Sequence, residues 1–150
     1  MRRDEAGQVA GIEVIPFGML VFLVGTLVVA NVWAFFDAKA TASAAAREAT
    51  RAYVEAPSAA DADAAARSAA TAAVVAMGRD PERVTLKVES DGGFARCRRV
   101  TSEATYAVPF VRLPWIGGLG NATNAVGRHS EIVDPFRSGV PGEARCGDQF

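Results

Sequence analysis

The side chains in this 150-residue sequence that could do chemistry are few and scattered. The only histidine, His129, stands next to Ser130. Adjacency does not make a nucleophile and base, because a triad is assembled in space, and a lone strand histidine is more often a surface or hydrogen-bonded residue. Asp61 and Asp63 resemble a carboxylate pair, yet two residues apart on a helix they point to different faces. Charge near a helix N-terminus explains them better. "GGLGN" (117–121) lacks the Lys-Ser/Thr of a phosphate loop and its strand-then-helix setting, and reads as a tight loop. Asn121-Ala122-Thr123 matches a glycosylation triplet that is common by chance. The expectation is therefore a non-enzymatic protein with no catalytic, cofactor-binding or metal residues.

Three features remain. Cys97 and Cys146 are the only cysteines, far apart and with no accompanying CxxC or histidine cluster. A pair in a small domain favours a disulfide and an oxidising compartment, the alternative being two separate buried thiols. If bonded, they close a loop worth about 4 kcal/mol in the chain-entropy model. Trp115 and Ile116, in a loop rich in glycine and proline, form a candidate interaction surface, since tryptophan is enriched at contact hot spots. The alternative is an aromatic folded back over the core. The third feature is Glu13, a carboxylate at the threshold of a long apolar run.

The elements that must position these residues begin with that run. From Val14 to Phe36 there are 23 residues without a charge, and Thr26 and Asn31 are the only clearly polar side chains. About 20 apolar helical residues span a hydrocarbon core roughly 30 Å thick. A cleaved signal has an apolar region of only about 7–15 residues followed by a small-residue exit. The expectation is a retained transmembrane segment at 14–36, preceded by a leader or cytoplasmic-edge segment at 1–13 and followed by a domain at 37–150. Arg2 and Arg3 before the span are matched by Lys39, Arg47 and Arg51 after it, so positive charge leaves orientation open. The cysteine pair favours an extracytoplasmic domain. A net charge of −1 argues against a nucleic-acid surface built on bulk charge.

After Phe36 the alanine-rich stretch 37–56 continues the helix until Pro57. Ser58 reads as the N-cap of a second alanine-rich helix, with Asp61 three residues on and Gly78 as its stop. The period then changes from helical to two. Val84, Leu86 and Val88 alternate with polar residues over 83–90; Val100, Tyr106 and Val108 share one parity in an extended run over 94–108; a third strand covers 122–133. The fold expectation is α+β: one long helix, a second helix, and a small antiparallel sheet of about three strands.

A short arginine-containing leader, "RRDEAGQVAGIEVIPFG", then "ANVWAFFDAKATASAAAREATRAYVEAP" and the terminal "RHSEIVDPFRSG" together resemble the TadE/TadG-like pilin family of the tight-adherence (Flp) pilus system, especially its high-GC Gram-positive members. The resemblance implies a minor pilin or pseudopilin in the cytoplasmic membrane. Its partners would be other pilin-like subunits, the pilus assembly platform and a prepilin peptidase. It also implies that Gly7 is the cleavage glycine and Glu13 the assembly carboxylate, whose charge near hydrocarbon is offset by a neighbouring subunit's amine. Cutting after Gly7 makes Glu13 the sixth mature residue, where the family pattern has the fifth. Gly11, Gly18 and Gly25, spaced by seven, favour close helix contacts within a membrane. The alternative function is a single-pass, membrane-tethered binding domain that acts alone at the cell envelope.

Overall fold

The computed structural model describes residues 14–108, 123–143 and 145–147. Gly7, Glu13, Trp115 and Ile116 lie outside them. The architecture is α+β: helix α1 (Val14–Val54), helix α2 (Ala59–Ala76), a 3-10 turn (Pro81–Arg83), and strands β1 (Val84–Ser90), β2 (Arg99–Ala107) and β3 (Asn124–Ile132).

Helix α1 is one unbroken element of 41 residues with two physically different halves. Its first half is apolar and largely exposed: the most apolar 18-residue window has mean hydropathy 2.3 and none of it is buried, so by length and composition it can cross a membrane. The two polar side chains there are satisfied within the helix. Thr26 Oγ1 donates to the carbonyl of Phe22 and Asn31 Nδ2 to that of Leu27, both at 2.8 Å. From Ala38 onward the same helix becomes a core element, burying Ala38, Thr41, Ala42, Ala45, Ala46, Ala49, Thr50 and Tyr53. Recurrence at three and four residues makes one broad buried face.

Pro57 cannot continue α1, and the chain reverses into α2. Ser58 caps it as the sequence predicts: its hydroxyl accepts from the amide of Asp61 at 3.3 Å and donates to that residue's carboxylate at 2.7 Å. Strict four-residue spacing of Ala62, Ala66, Ala70 and Val74 gives α2 a narrow buried stripe, packed antiparallel on α1. Gly78, with φ +68°, closes the helix. The amide of Gly78 bonds the carbonyl of Val75 at 2.8 Å and that of Arg79 bonds Val74 at 3.1 Å, the paired pattern of a Schellman cap. Arg79 then pairs with Asp37, tying the end of α2 to the residue where the apolar half of α1 stops.

The antiparallel sheet has the order β1-β2-β3. Its register aligns Leu86, Ala104 and Gly127 in one row and Val88, Ser102 and His129 in the next. One face lies against the helices, with Val100, Ser102, Ala104, Tyr106, Ala125 and Gly127 buried. The other is polar: Thr101 pairs with Ser130 at 2.9 Å, and Arg128 with Glu103. A Cβ on Gly127 would come within 2.4 Å of the Ala42 carbonyl carbon and the Ser43 amide nitrogen. The backbone of α1 therefore rests directly on β3.

The extended run expected over 94–108 is shorter: β2 begins only at Arg99. Residues 94–98 instead form a turn-rich segment in which Cys97 is left-handed, at φ +62°. The C-terminal tail takes the backbone groups there. The amide of Arg96 bonds the carbonyl of Pro141 at 2.8 Å and that of Cys97 bonds Val133 at 2.9 Å.

Gly127→Ala should therefore force α1 off the sheet and cost about 1–3 kcal/mol, the usual range for overpacking. Denaturant unfolding of the detergent-solubilised chain measures it; an unchanged midpoint would mean that α1 does not need this contact.

Candidate functional site

Among the described residues, those with chemical potential are not gathered into a reactive centre. His129 and Ser130 project from opposite faces of β3: His129 Nε2 lies 3.0 Å from Glu131 Oε1, whereas Ser130 bonds Thr101 across the outer face. Asp61 is engaged at the α2 cap and Asp63 is exposed one turn position away. Among the described residues no group of three His, Cys, Asp or Glu side chains converges on a common point. Arg51, exposed on α1, is pushed above its ordinary pKa by its hydrogen bond to Glu55 and by the charges of Glu55 and Glu48. The buried Ser102 hydroxyl has no hydrogen-bond partner among the described residues, but it faces the helix-covered side of the sheet, away from solvent.

What the structure assembles instead is a lock between the tail and the end of α1. Cys97 and Cys146 form a disulfide, with Cα atoms 5.1 Å apart. Inside the loop that it closes, Arg137 reaches the last turn of α1. Its guanidinium donates to the carbonyl oxygen of Val54 and, at 2.6 Å each, to those of Glu55 and Ala56. These are the acceptors that a helix end leaves unpaired, and a cation there also complements the helix dipole. The Arg137 guanidinium also lies 5.8 Å from the centre of the Phe94 ring, which meets Tyr53 edge-on at a centroid distance of 5.8 Å. Arg96 Nε in turn donates to the Arg137 carbonyl at 2.8 Å. Sequence reasoning misses Arg137. It stands 83 residues from Val54, and a basic side chain after "DP" says nothing about which helix end it will serve.

The second assembled feature is the distribution of exposed apolar side chains. Beyond the apolar half of α1, the large hydrophobic residues exposed among those described are Val75 (56%), Met77 (40%) and Phe136 (82%). Met77 is the C-cap of α2 and Val75 stands two residues before it, at the end that the Arg79–Asp37 pair ties to α1. Phe136 sits at the opposite end, on a turn fixed by its amide bonding Asp134 Oδ1 at 2.8 Å and by the neighbouring Arg137 lock. The structure thus offers two surfaces for non-covalent contact: a bare apolar helix continuing into the α2 end, and a distal tip presenting one exposed phenyl ring on a hydrogen-bonded turn.

Comparison with known proteins adds no relative: no protein-family model matches the sequence, and neither a curated protein nor a solved structure matches it significantly.

Replacing Arg137 with Met, which keeps bulk and removes the donors, should cost about 2 kcal/mol, as for hydrogen bonds made by a charged group. Amide exchange at 50–56 should accelerate at least tenfold while exchange in β1 changes little. Equal exchange in both proteins would show that the end of α1 is held by other contacts.

Proposed function

We propose that this chain is a membrane-anchored, TadE-like minor pilin or pseudopilin, a structural subunit in the assembly of a tight-adherence pilus. The observation that carries the reading is the continuity of α1. One helix is bare and apolar along 14–36 and packed into a small α+β domain from Ala38 onward, with no break between the two. A helix so divided suits a subunit that stores its first half in lipid and later packs it against the same helix of its neighbours. No histidine, metal or nucleophile is needed for that role. The substrate of the protein is another protein's helix.

The resemblance supplies the rest. Gly7 is the processing glycine and Glu13, at the threshold of the apolar run, the carboxylate that meets a neighbour's terminal amine. A carboxylate entering hydrocarbon alone is strongly disfavoured in its charged form, so a partner amine gives its placement a physical reason. The Cys97–Cys146 disulfide favours an oxidising compartment and hence an extracytoplasmic domain. The partners are other pilin-like subunits and the assembly platform. A second reading, a tethered domain that binds an envelope ligand on its own, is favoured by the exposed Phe136 at the distal tip.

Membrane fractions should hold the protein against high salt and carbonate and release it in detergent. Crosslinking at equal membrane abundance separates the two readings. Glu13→Gln should leave insertion and the disulfide intact and lower the yield of complexes containing other pilin-like subunits several-fold. Equal yields would remove the assembly role from Glu13, and no such complexes from wild type would favour the tethered binding domain.

A further inference from the structure

We infer that the end of α2 rests on the lipid surface, with Val75 and Met77 seated in the headgroup layer, so that the domain is docked on the bilayer and not held above it. The inference rests on the membrane-anchor reading of α1 and adds a second contact that this reading does not require.

Three observations converge on it. The uncharged run ends at Phe36, with Trp33 exposed on its last turn, an amphipathic ring of the kind that favours the membrane–water interface. The Arg79–Asp37 pair then fixes the height of the α2 end relative to α1: the Schellman cap lies level with the first charged residue after the span. Each helical turn rises 5.4 Å, and the headgroup region adds about 5–8 Å on each side of the hydrocarbon. With α1 continuous through this level, no linker exists to lift the cap clear of that layer. Lastly, the α2 end presents apolar groups outward at this height, with Val75 56% and Met77 40% exposed while Val74 turns inward against α1. Elsewhere on α2 the exposed positions are alanine, serine, threonine, arginine and aspartate.

The charges at this rim identify the kind of surface that it fits. Arg79 is paired with Asp37 and Arg83 with Asp80 at 3.2 Å, while Lys39 donates to the carbonyl of Val126. The Lys39 ammonium keeps its charge on that neutral acceptor and is offset by the exposed Glu82 of the turn after α2, so these side chains together carry no excess positive charge to recruit anionic lipid. The contact is apolar insertion flanked by neutral ion pairs, suited to a zwitterionic phospholipid surface.

The test uses the full chain in phosphatidylcholine vesicles, with an environment-sensitive thiol-reactive fluorophore at Met77→Cys or, as a control at the far end, at Ser138→Cys. Flotation with the vesicles comes first; a chain that does not float overturns the anchor reading and this inference with it. For a chain that floats, the label at 77 should be at least twofold less quenched by aqueous iodide than the label at 138, and at least twofold more quenched by lipids carrying a shallow nitroxide. Adding phosphatidylglycerol should change neither ratio. Equal iodide quenching at both positions would overturn the docking and leave the anchor standing. Shielding from iodide without nitroxide quenching would identify a second copy of the chain as the cover, and would equally overturn the lipid contact.

Discussion

The fold depends on how closely the backbone of α1 approaches its neighbours. Ala42 and Ser43 touch the backbone of Gly127 with no room for a single carbon between them, and Ala62, Ala66 and Ala70 bring α2 against the same helix. Small side chains make this approach cheap in conformational entropy, because alanine and glycine have no rotamers to lose. They also bury little apolar area each, so the core has few large anchors: among the described residues the buried aromatics are Tyr53, Phe94 and Tyr106, and the other large buried hydrophobic side chains are valines. Close packing must compensate for small volume, which is why one added methyl at Gly127 matters more here than in a core of leucines.

A core of that kind leaves the periphery under-secured, and the tail lock answers this. Small domains that cannot bury enough surface commonly add covalent or polar staples. Here the disulfide and Arg137 act at the same end of the molecule. The first holds the tail to the segment before β2, and the second holds the tail to the end of α1. Phe94 sits between them, beneath the guanidinium and against Tyr53, so that one apolar cluster is shared by the helix, the hairpin and the tail.

Because α1 runs without interruption from its bare half into its packed half, whatever holds the first half also orients the second. The ion pair between Arg79 and Asp37 sits at that transition, and the distal lock sits at the other end of the same helix. The domain is thus clamped to one rod at two heights. A chain built this way couples the position of its apolar half to that of its distal tip, as the proposed assembly role requires.

Much of this was written in local pattern. The 23-residue uncharged run, the Ser58 cap, the Gly78 stop and the alternation of Val84, Leu86 and Val88 are local signals, set by solvent transfer, by cap hydrogen bonds and by strand periodicity, and the structure places each where the pattern does. The cysteine pair left two outcomes open, and the folded chain chose the disulfide. Other features could only come from the tertiary structure. An alanine-rich helix has almost no moment to say which face is inward, so the burial of Ala42 and Ala49 over Ala40 and Ala44 follows from where Gly127 and the α2 stripe lie. The early end of β2, the left-handed Cys97 and the reach of Arg137 to Val54 all arise where the tail competes for backbone groups far away in sequence. No local propensity encodes such a meeting, because it exists only once the chain has closed on itself.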